Sequence, residues 1–333
     1  MNDKFEAIIL EACKARGLGK GEMIQSLWSG YGSIVRYKPV GGKYESIVVK
    51  HVKLAGTQKR SGNNSHPRGW NTNFSHKRKL KSYNVEMAFY RNYAKHCDDS
   101  CRIPHCLAQK TSGDEILMVL EDLDSAGFPS RRRTVNMNQI SQVLIWLANF
   151  HAIFLATKPS ELWRTGTYWH LETRPDELQV LDDKPLKESA SGIDTVLKNA
   201  KYQTFVHGDA KLENFCFSSD GSRVAAVDFQ YVGGGCGMKD VAYFVGSCLN
   251  ELESERQESQ ILSIYFDALQ QAVITHNKNV DFEELKSEWS KLYCYAWADF
   301  HRFLKGWSPG HWKINSYSEK ICQKVIKEFQ GLG

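Results

Sequence analysis

Apolar positions recur every three or four residues through Phe5, Ile8, Ile9 and Cys13, so the first ~20 residues read as a helix that buries one face. The pattern then changes to strand-like runs at Ile24–Trp28 and Ser33–Tyr37, which flank Gly30-Tyr31-Gly32, and a third run, Tyr44–Lys50, follows the Pro39-Val-Gly-Gly turn. Val85–Tyr93 reads as an amphipathic helix with Val85, Phe89 and Tyr93 inward, and strands follow at Cys106–Gln109 and Ile116–Leu120. Residues 1–120 are thus expected to form a small antiparallel sheet with one main helix. From Asn136 the spacing is helical again, with Ile140, Val143, Leu144, Leu147 and Phe150 recurring up to His151. Most of the remainder is helical, including Ile261–Phe266 and Leu285–Trp297. The runs Phe215–Phe217 and Val224–Val227, joined by Ser218-Ser-Asp-Gly221, predict a hairpin. The class is α+β, with a hinge at 121–127 and a larger, mostly helical unit over 128–333.

A chain of 333 residues with 42% hydrophobic side chains has material for two packed units. No run reaches the ~18 apolar residues of a membrane helix, and the charged N-terminal stretch does not read as a secretory signal. Nine cysteines, an odd number, fit reduced thiols in the cytosol. His96, Cys97, Cys101, His105 and Cys106 are candidate zinc ligands, but they lack paired C-x2-C knuckles, and a helix end turning into a strand is the preferred reading. Charge changes the picture more. Lys59, Arg60, Arg68, Lys77, Arg78, Lys79 and Lys81 lie between Leu54 and Ser82 with no acid among them, exceeding the whole net charge of +5. This segment reads as a long loop, solvated or acting as a phosphate-attracting flap between Lys50 and Glu86, in preference to a nucleic-acid or membrane-surface patch.

The densest chemistry lies in His207-Gly-Asp209-Ala-Lys211-Leu-Glu-Asn214 and Val227-Asp228-Phe-Gln. Two carboxylates and an amide bracket the hairpin, which folds the second carboxylate back beside the first. Phosphoryl transfer needs such a set: a carboxylate for the acceptor hydroxyl, and an amide with a carboxylate to hold magnesium against nucleotide phosphates. Asp209 as a helix cap and Asp228 as a turn residue are the bland alternatives, and the combination outweighs them. Upstream, Gly30, Gly32 and Ser33 form a turn through which backbone can approach phosphates, and Lys50 ends an apolar strand with Glu86 early on the next helix. The strand backbone at Glu121 and Leu123 falls where an adenine ring could be read. His207 reads as a structural hydrogen-bonding residue and His151 as packing or bracing.

In these motifs the chain resembles the protein-kinase-like small-molecule kinases, choline kinases and aminoglycoside phosphotransferases among them, and most closely their ecdysteroid-kinase-like branch. The match comprises H-G-D-x-x-x-x-N at 207–214, V-D-F-Q at 227–230, L-E-D-L at 120–123, L-A-x-F-H-A at 147–152, E-x-x-F-Y at 86–90 and D-V-A-Y-F at 240–244. The resemblance implies a two-lobed kinase fold using ATP and Mg2+. In it Asp209 is the catalytic base, Asn214 and Asp228 are magnesium ligands, Lys50 contacts the nucleotide phosphates, Glu86 holds Lys50, and Asp240 braces the catalytic loop. Lys211, two residues after Asp209 as in protein serine/threonine kinases, is expected to stabilise the transferring group. Two departures bear on the acceptor: Asp228-Phe-Gln replaces D-F-G, and eleven residues, Phe229–Lys239, leave no room for a peptide-docking activation segment. Gly233–Gly237 reads as a loop shaping an acceptor pocket or as a turn. The aromatic stretch from Tyr293 to Trp312 reads mainly as core, with some rings lining that pocket. The expected activity is phosphoryl transfer to a hydroxyl of a small organic molecule in the cytoplasm. A protein kinase and a nucleotide-binding pseudokinase or scaffold remain as alternatives, and acceptor, nucleotide preference and oligomeric state stay open.

Overall fold

The computed structural model describes residues 3–27, 30–53 and 73–331. Strands β1 (Glu22–Ser26), β2 (Gly32–Tyr37), β3 (Ile47–Lys53), β4 (Cys106–Ser112) and β5 (Glu115–Glu121) form an antiparallel sheet in the order β1-β2-β3-β5-β4. The unbroken apolar run of β5 has a direct cause, since both of its faces are covered. Leu117 and Val119 pack with Ile47 and Val49 against Phe5, Ile9 and Cys13 of helix α1 (Asp3–Cys13), while Ile116, Met118 and Leu120 face the main core. The period of two in β3 then sends Val48, Lys50 and Val52 to the side opposite α1. β3 begins at Ile47 rather than Tyr44, which places Lys50 inside the strand instead of at its end.

Helix α2 (Asn73–Asn92) starts twelve residues before Val85, so residues 73–82 of the expected basic loop are helical and Glu86 lies in the second half of the helix. Residues 54–72, with Lys59, Arg60 and Arg68, lie outside the described residues, as does Trp28. The polar first half of α2 hides from an apolar-periodicity reading because its cations are themselves the packing groups. Arg78 donates to the Thr173 carbonyl at 2.7 Å, Lys79 to Gln230 Oε1 at 2.8 Å, and Lys81 lies 4.3 Å over the Trp163 ring. Lysine and arginine are also good helix formers.

The second unit is built on α3 (Met137–Ile153), opened by a reciprocal cap between Asn136 and Gln139. Helices α4 (Pro175–Gln179), α5 (Lys184–Lys198), α6 (Met238–Cys248), α7 (Glu251–Thr275), α8 (Phe282–Trp307) and α9 (Ser316–Gln330) surround it. Short strands β6 (Thr204–Val206), β7 (Phe215–Phe217), β8 (Val224–Ala226) and β9 (Gly233–Gly235) carry the loops between them. β7 and β8 form the expected hairpin, and Ser130–Arg131 pairs along its other edge. Gly233–Gly235 is neither loop nor turn: it pairs antiparallel with β6, a strand that glycines cannot advertise because they offer no side chains to alternate. An aromatic stack joins the units, with Phe89 of α2 lying 4.2 Å from Phe229 and nearly parallel to it. All nine cysteines are unpaired, and the chain passes from α2 through two short 3-10 turns, Ala94–His96 and Asp99–Cys101, into β4. No helix of the described residues is long and apolar enough to cross a membrane.

Candidate active site

A cleft of about 830 Å³ runs between the sheet and the helical unit, a size that suits a nucleotide and a small partner. Lys50, Glu86, Asp209, Lys211, Asn214 and Asp228 all line it. Lys50 Nζ donates to Glu86 Oε2 at 2.6 Å, both side chains being almost fully buried, and lies 3.9 Å from Asp228 Oδ1. Burial disfavours the Lys50 charge, yet Glu86 and Asp228 outweigh it and hold the ammonium above its ordinary value.

The β7–β8 hairpin sets the other groups. Val227 N donates to the Asn214 carbonyl at 3.0 Å, so Asn214 and Asp228 leave the paired strands side by side. Asn214 Nδ2 donates to the Asp209 carbonyl at 2.7 Å and to Asp209 Oδ2 at 3.1 Å, which leaves the amide oxygen for another partner. Asp228 adopts φ 70°, costly for a residue with a Cβ, and its buried Oδ1 has no hydrogen-bond partner. Burial pushes this carboxyl up, but the ammoniums of Lys50, Lys79 and Lys211 prevail and hold it below the usual carboxylate range. An orphaned anionic oxygen beside an amide oxygen is a hard, oxygen-only donor set of the kind magnesium takes.

Asp209 is reached from three sides: by Asn214, by Tyr243 Oη, which donates to Oδ1 at 3.1 Å, and by Lys211 Nζ, 3.3 Å from Oδ2. Asp209 raises the Lys211 ammonium well above its ordinary value. The loop holding Asp209 is braced by Asp240, whose carboxylate accepts from His207 N at 2.5 Å and Gly208 N at 3.0 Å. His151 Nε2 donates to the same carboxylate at 3.1 Å while its Nδ1 accepts from Tyr265 at 2.7 Å, so His151 braces the brace. His207 is structural: Nε2 donates to the Val227 carbonyl at 3.0 Å, which makes Nδ1 the acceptor for Asp209 N at 3.3 Å. Gly208 has φ 80°, and a Cβ there would lie 2.1 Å from the Tyr231 carbonyl, so glycine is the one residue that fits.

Some sequence-derived residues sit elsewhere. Gly30, Gly32 and Ser33 do not line the cleft; Tyr31 does, with its hydroxyl hydrogen-bonded to His76 Nδ1. Gly32 answers to β3, where the His51 carbonyl would be 1.9 Å from a Cβ. At the hinge, Glu121 and Leu123 line the cleft, and Glu121 Oε2 accepts from Arg102 at 2.6 Å and His105 N at 3.0 Å. Next to them is an ion network absent from the sequence reading: Arg36 pairs with the buried Asp122 at 2.6 Å, with Asp124, and with Glu22 at 3.6 Å, and Ser46 donates to Asp122 at 2.6 Å. Also missed were Tyr168, whose hydroxyl lies 3.2 Å from Tyr243 Oη, and Gln230, which accepts from Lys79 and from Ser82 Oγ at 3.1 Å. Gln230 lies within the V-D-F-Q motif, whereas no motif marks Tyr168. Of the C-terminal aromatics, Phe303 and Trp307 line the cleft, Tyr293, Trp297 and Phe300 are buried, and Trp312 is exposed.

The choline kinase of Cryptosporidium parvum Iowa II superposes with a TM-score of 0.56 at 11% identity, covering 99% of this chain and 96% of that one. The GDP complex of aminoglycoside 2'-phosphotransferase-IIIa superposes with a TM-score of 0.50 at 10% identity, covering 98% of each chain. Both are similar in fold, the two-lobed kinase-like architecture. No curated protein matches the chain by sequence. The model of the ecdysteroid kinase-like family matches residues 71–168 and 166–278, which spans the helix carrying Glu86, both carboxylate loops and the bracing Asp240, and the chain belongs to that family.

Proposed function

We propose that this protein is a cytoplasmic ATP-dependent phosphotransferase acting on a hydroxyl of a small organic molecule. The observation that carries this is the convergence of Asp209, Asn214 and Asp228 with the buried Lys50–Glu86 pair in one cleft. Glu121 and Leu123 would hold the base of the nucleotide and Lys50 its phosphates. Asn214 and Asp228 would hold magnesium, which would neutralise phosphate charge when bound. Asp209 orients the acceptor hydroxyl and takes its proton, the hydroxyl oxygen forms a bond to the γ-phosphorus, and the bond from that phosphorus to the ADP oxygen breaks. Lys211, beside Asp209, offsets the charge developing on the transferred group. A small acceptor is favoured over a protein, because between Asp228 and α6 the chain is spent on β9 and leaves no peptide-docking segment. A nucleic-acid scaffold is disfavoured, because Lys79 and Lys81 are spent on the contact between the two units.

Incubation with ATP, magnesium and a pooled library of alcohols, read by mass spectrometry, is the test. A product heavier by one phosphoryl group is expected with the wild type and not with Asp209→Ala, which still binds nucleotide. Transfer by the variant at the wild-type rate refutes the role of Asp209, and binding of nucleotide without transfer to any alcohol refutes the enzyme reading.

A further inference from the structure

Beyond Asp209 the cleft continues into a chamber walled by Tyr168, Tyr231, Tyr243, Phe303 and Trp307, with Arg78 and Arg174 also lining it. Such rings suit a flat apolar body, and they would equally suit an organic cation, whose attraction to aromatic faces is strong once desolvated. Here the faces of Tyr168, Phe303 and Tyr243 are already taken by the protein's own cations. The Arg174 guanidinium lies 4.7 Å from the Phe303 centroid and 5.6 Å from that of Tyr168, and Lys313 Nζ lies 4.8 Å from that of Tyr243. Asp209, the carboxylate at the mouth of the chamber, already has Lys211 at 3.3 Å.

The balance of charge is positive. Arg174 is 6% exposed and spends Nε on the Tyr168 carbonyl at 2.7 Å and one terminal nitrogen on Glu177 at 3.0 Å, while its other terminal nitrogen makes no hydrogen bond among the described residues. Arg78 donates to the Thr173 carbonyl at 2.7 Å and to Ser75 at 3.2 Å and pairs with no carboxylate among the described residues. The two guanidiniums feel each other: burial first and the charge of Arg78 second bring Arg174 down to about 10. Two mutually repelling guanidiniums at a ring-lined wall are the donors that a bidentate anion satisfies.

We infer that the acceptor is an alcohol with a flat apolar body and an anionic group, a carboxylate or a sulfate or phosphate ester, held by Arg78 and Arg174 while its hydroxyl reaches Asp209. The inference rests on the phosphotransferase reading and narrows its substrate class. It disfavours amino alcohols and amino sugars as acceptors, because a second cation there meets the charges of Arg78 and Arg174.

Three matched probes test it: 4-(hydroxymethyl)benzoate, benzyl alcohol and 4-(aminomethyl)benzyl alcohol. Each is titrated into the full protein saturated with MgADP, and binding is followed by calorimetry. A hydrogen-bonded charge contributes about 1.5 kcal/mol or more, so the benzoate is expected to bind at least about tenfold tighter than the neutral probe, and the ammonium probe weaker than both. Arg78→Gln, and separately Arg174→Gln, should bring the benzoate and neutral probes to within about threefold of each other. Two variants are needed because Arg174→Gln also strips Glu177 of a buried partner. Equal or tighter binding of the ammonium probe overturns the inference, as does a preference that survives both substitutions or the failure of all three probes to bind. Loss of the phosphotransferase reading looks different: charge preference in binding persists, but no probe or library alcohol gains a phosphoryl group.

Discussion

Acid should weaken this protein through His170, and the size of the effect follows from its surroundings. The ring is 4% exposed, its Nδ1–H donates to the Thr167 carbonyl at 2.9 Å, and Trp163 packs edge-on with centroids 5.8 Å apart. Burial dominates, Lys239 adds repulsion, and the Thr167 carbonyl, Asp299 and Glu172 only partly compensate, so the imidazole falls from 6.5 to about 4. Between those values the unfolded chain takes up a proton that the folded protein refuses. Stability is therefore fully present above pH 6.5 and is lost as pH falls toward 4. At about 1.4 kcal/mol for each tenfold in proton affinity, the ceiling is about 3 kcal/mol. His170→Asn keeps an N–H donor and cannot titrate. Its unfolding free energy, from urea melts, should lie below that of the wild type at pH 7 because packing is lost. That gap should narrow by about 2 kcal/mol at pH 4.5, since other groups titrate alike in both proteins. The segment involved carries Thr167 at φ 87° and donates from Tyr168 N to the Gly208 carbonyl, so its loosening should lower nucleotide-dependent activity in parallel. A gap that is constant between pH 7 and pH 4.5 refutes the argument.

Asp240→Asn replaces a carboxylate that accepts from two loop N–H groups and His151 by an amide that can accept at one atom only. Urea unfolding should show a loss of about 3 kcal/mol, and an unchanged midpoint would mean that the brace carries no energy. Tyr243→Phe removes a hydrogen bond to the Asp209 carboxylate, for which about a tenfold or greater fall in phosphoryl transfer is expected with nucleotide affinity intact. Equal loss of binding and turnover would instead mark Tyr243 as a general packing residue.

The residues near Asp209 and Asp228 were legible because their chemistry is local: a hairpin of fixed length dictates that Asn214 and Asp228 end together, and the motif spacing encodes that hairpin. Lys50 and Glu86 were legible as residue types in order, though not in placement, because the start of α2 has no apolar stripe to mark it. Its packing groups are Arg78, Lys79 and Lys81, and a run of cations reads as solvent-facing until the surface it meets is known. Gly32 was legible as a glycine but not in its reason, which lies in the proximity of the His51 carbonyl, nineteen residues along the chain on the paired strand, rather than in a ligand. Arg36, Tyr168 and Gln230 were illegible on principle. Each acts through a partner 75 to 151 positions distant in the chain, and no local pattern encodes such separations.

The tie between α2 and the Asp228 segment bears on how this protein would be governed. Phe229 stacks on Phe89, and Gln230 holds Lys79 and Ser82, so the helix carrying Glu86 is fastened at two places to the residues that follow Asp228. Swinging that helix outward to part Glu86 from Lys50 would unstack an aromatic pair and strip a buried amide oxygen of its donors in the same motion. The working pair is therefore assembled as soon as the chain has folded, with no modification required to complete it. In such an arrangement the catalytic lysine and its partner wait on the nucleotide rather than on a movement of α2.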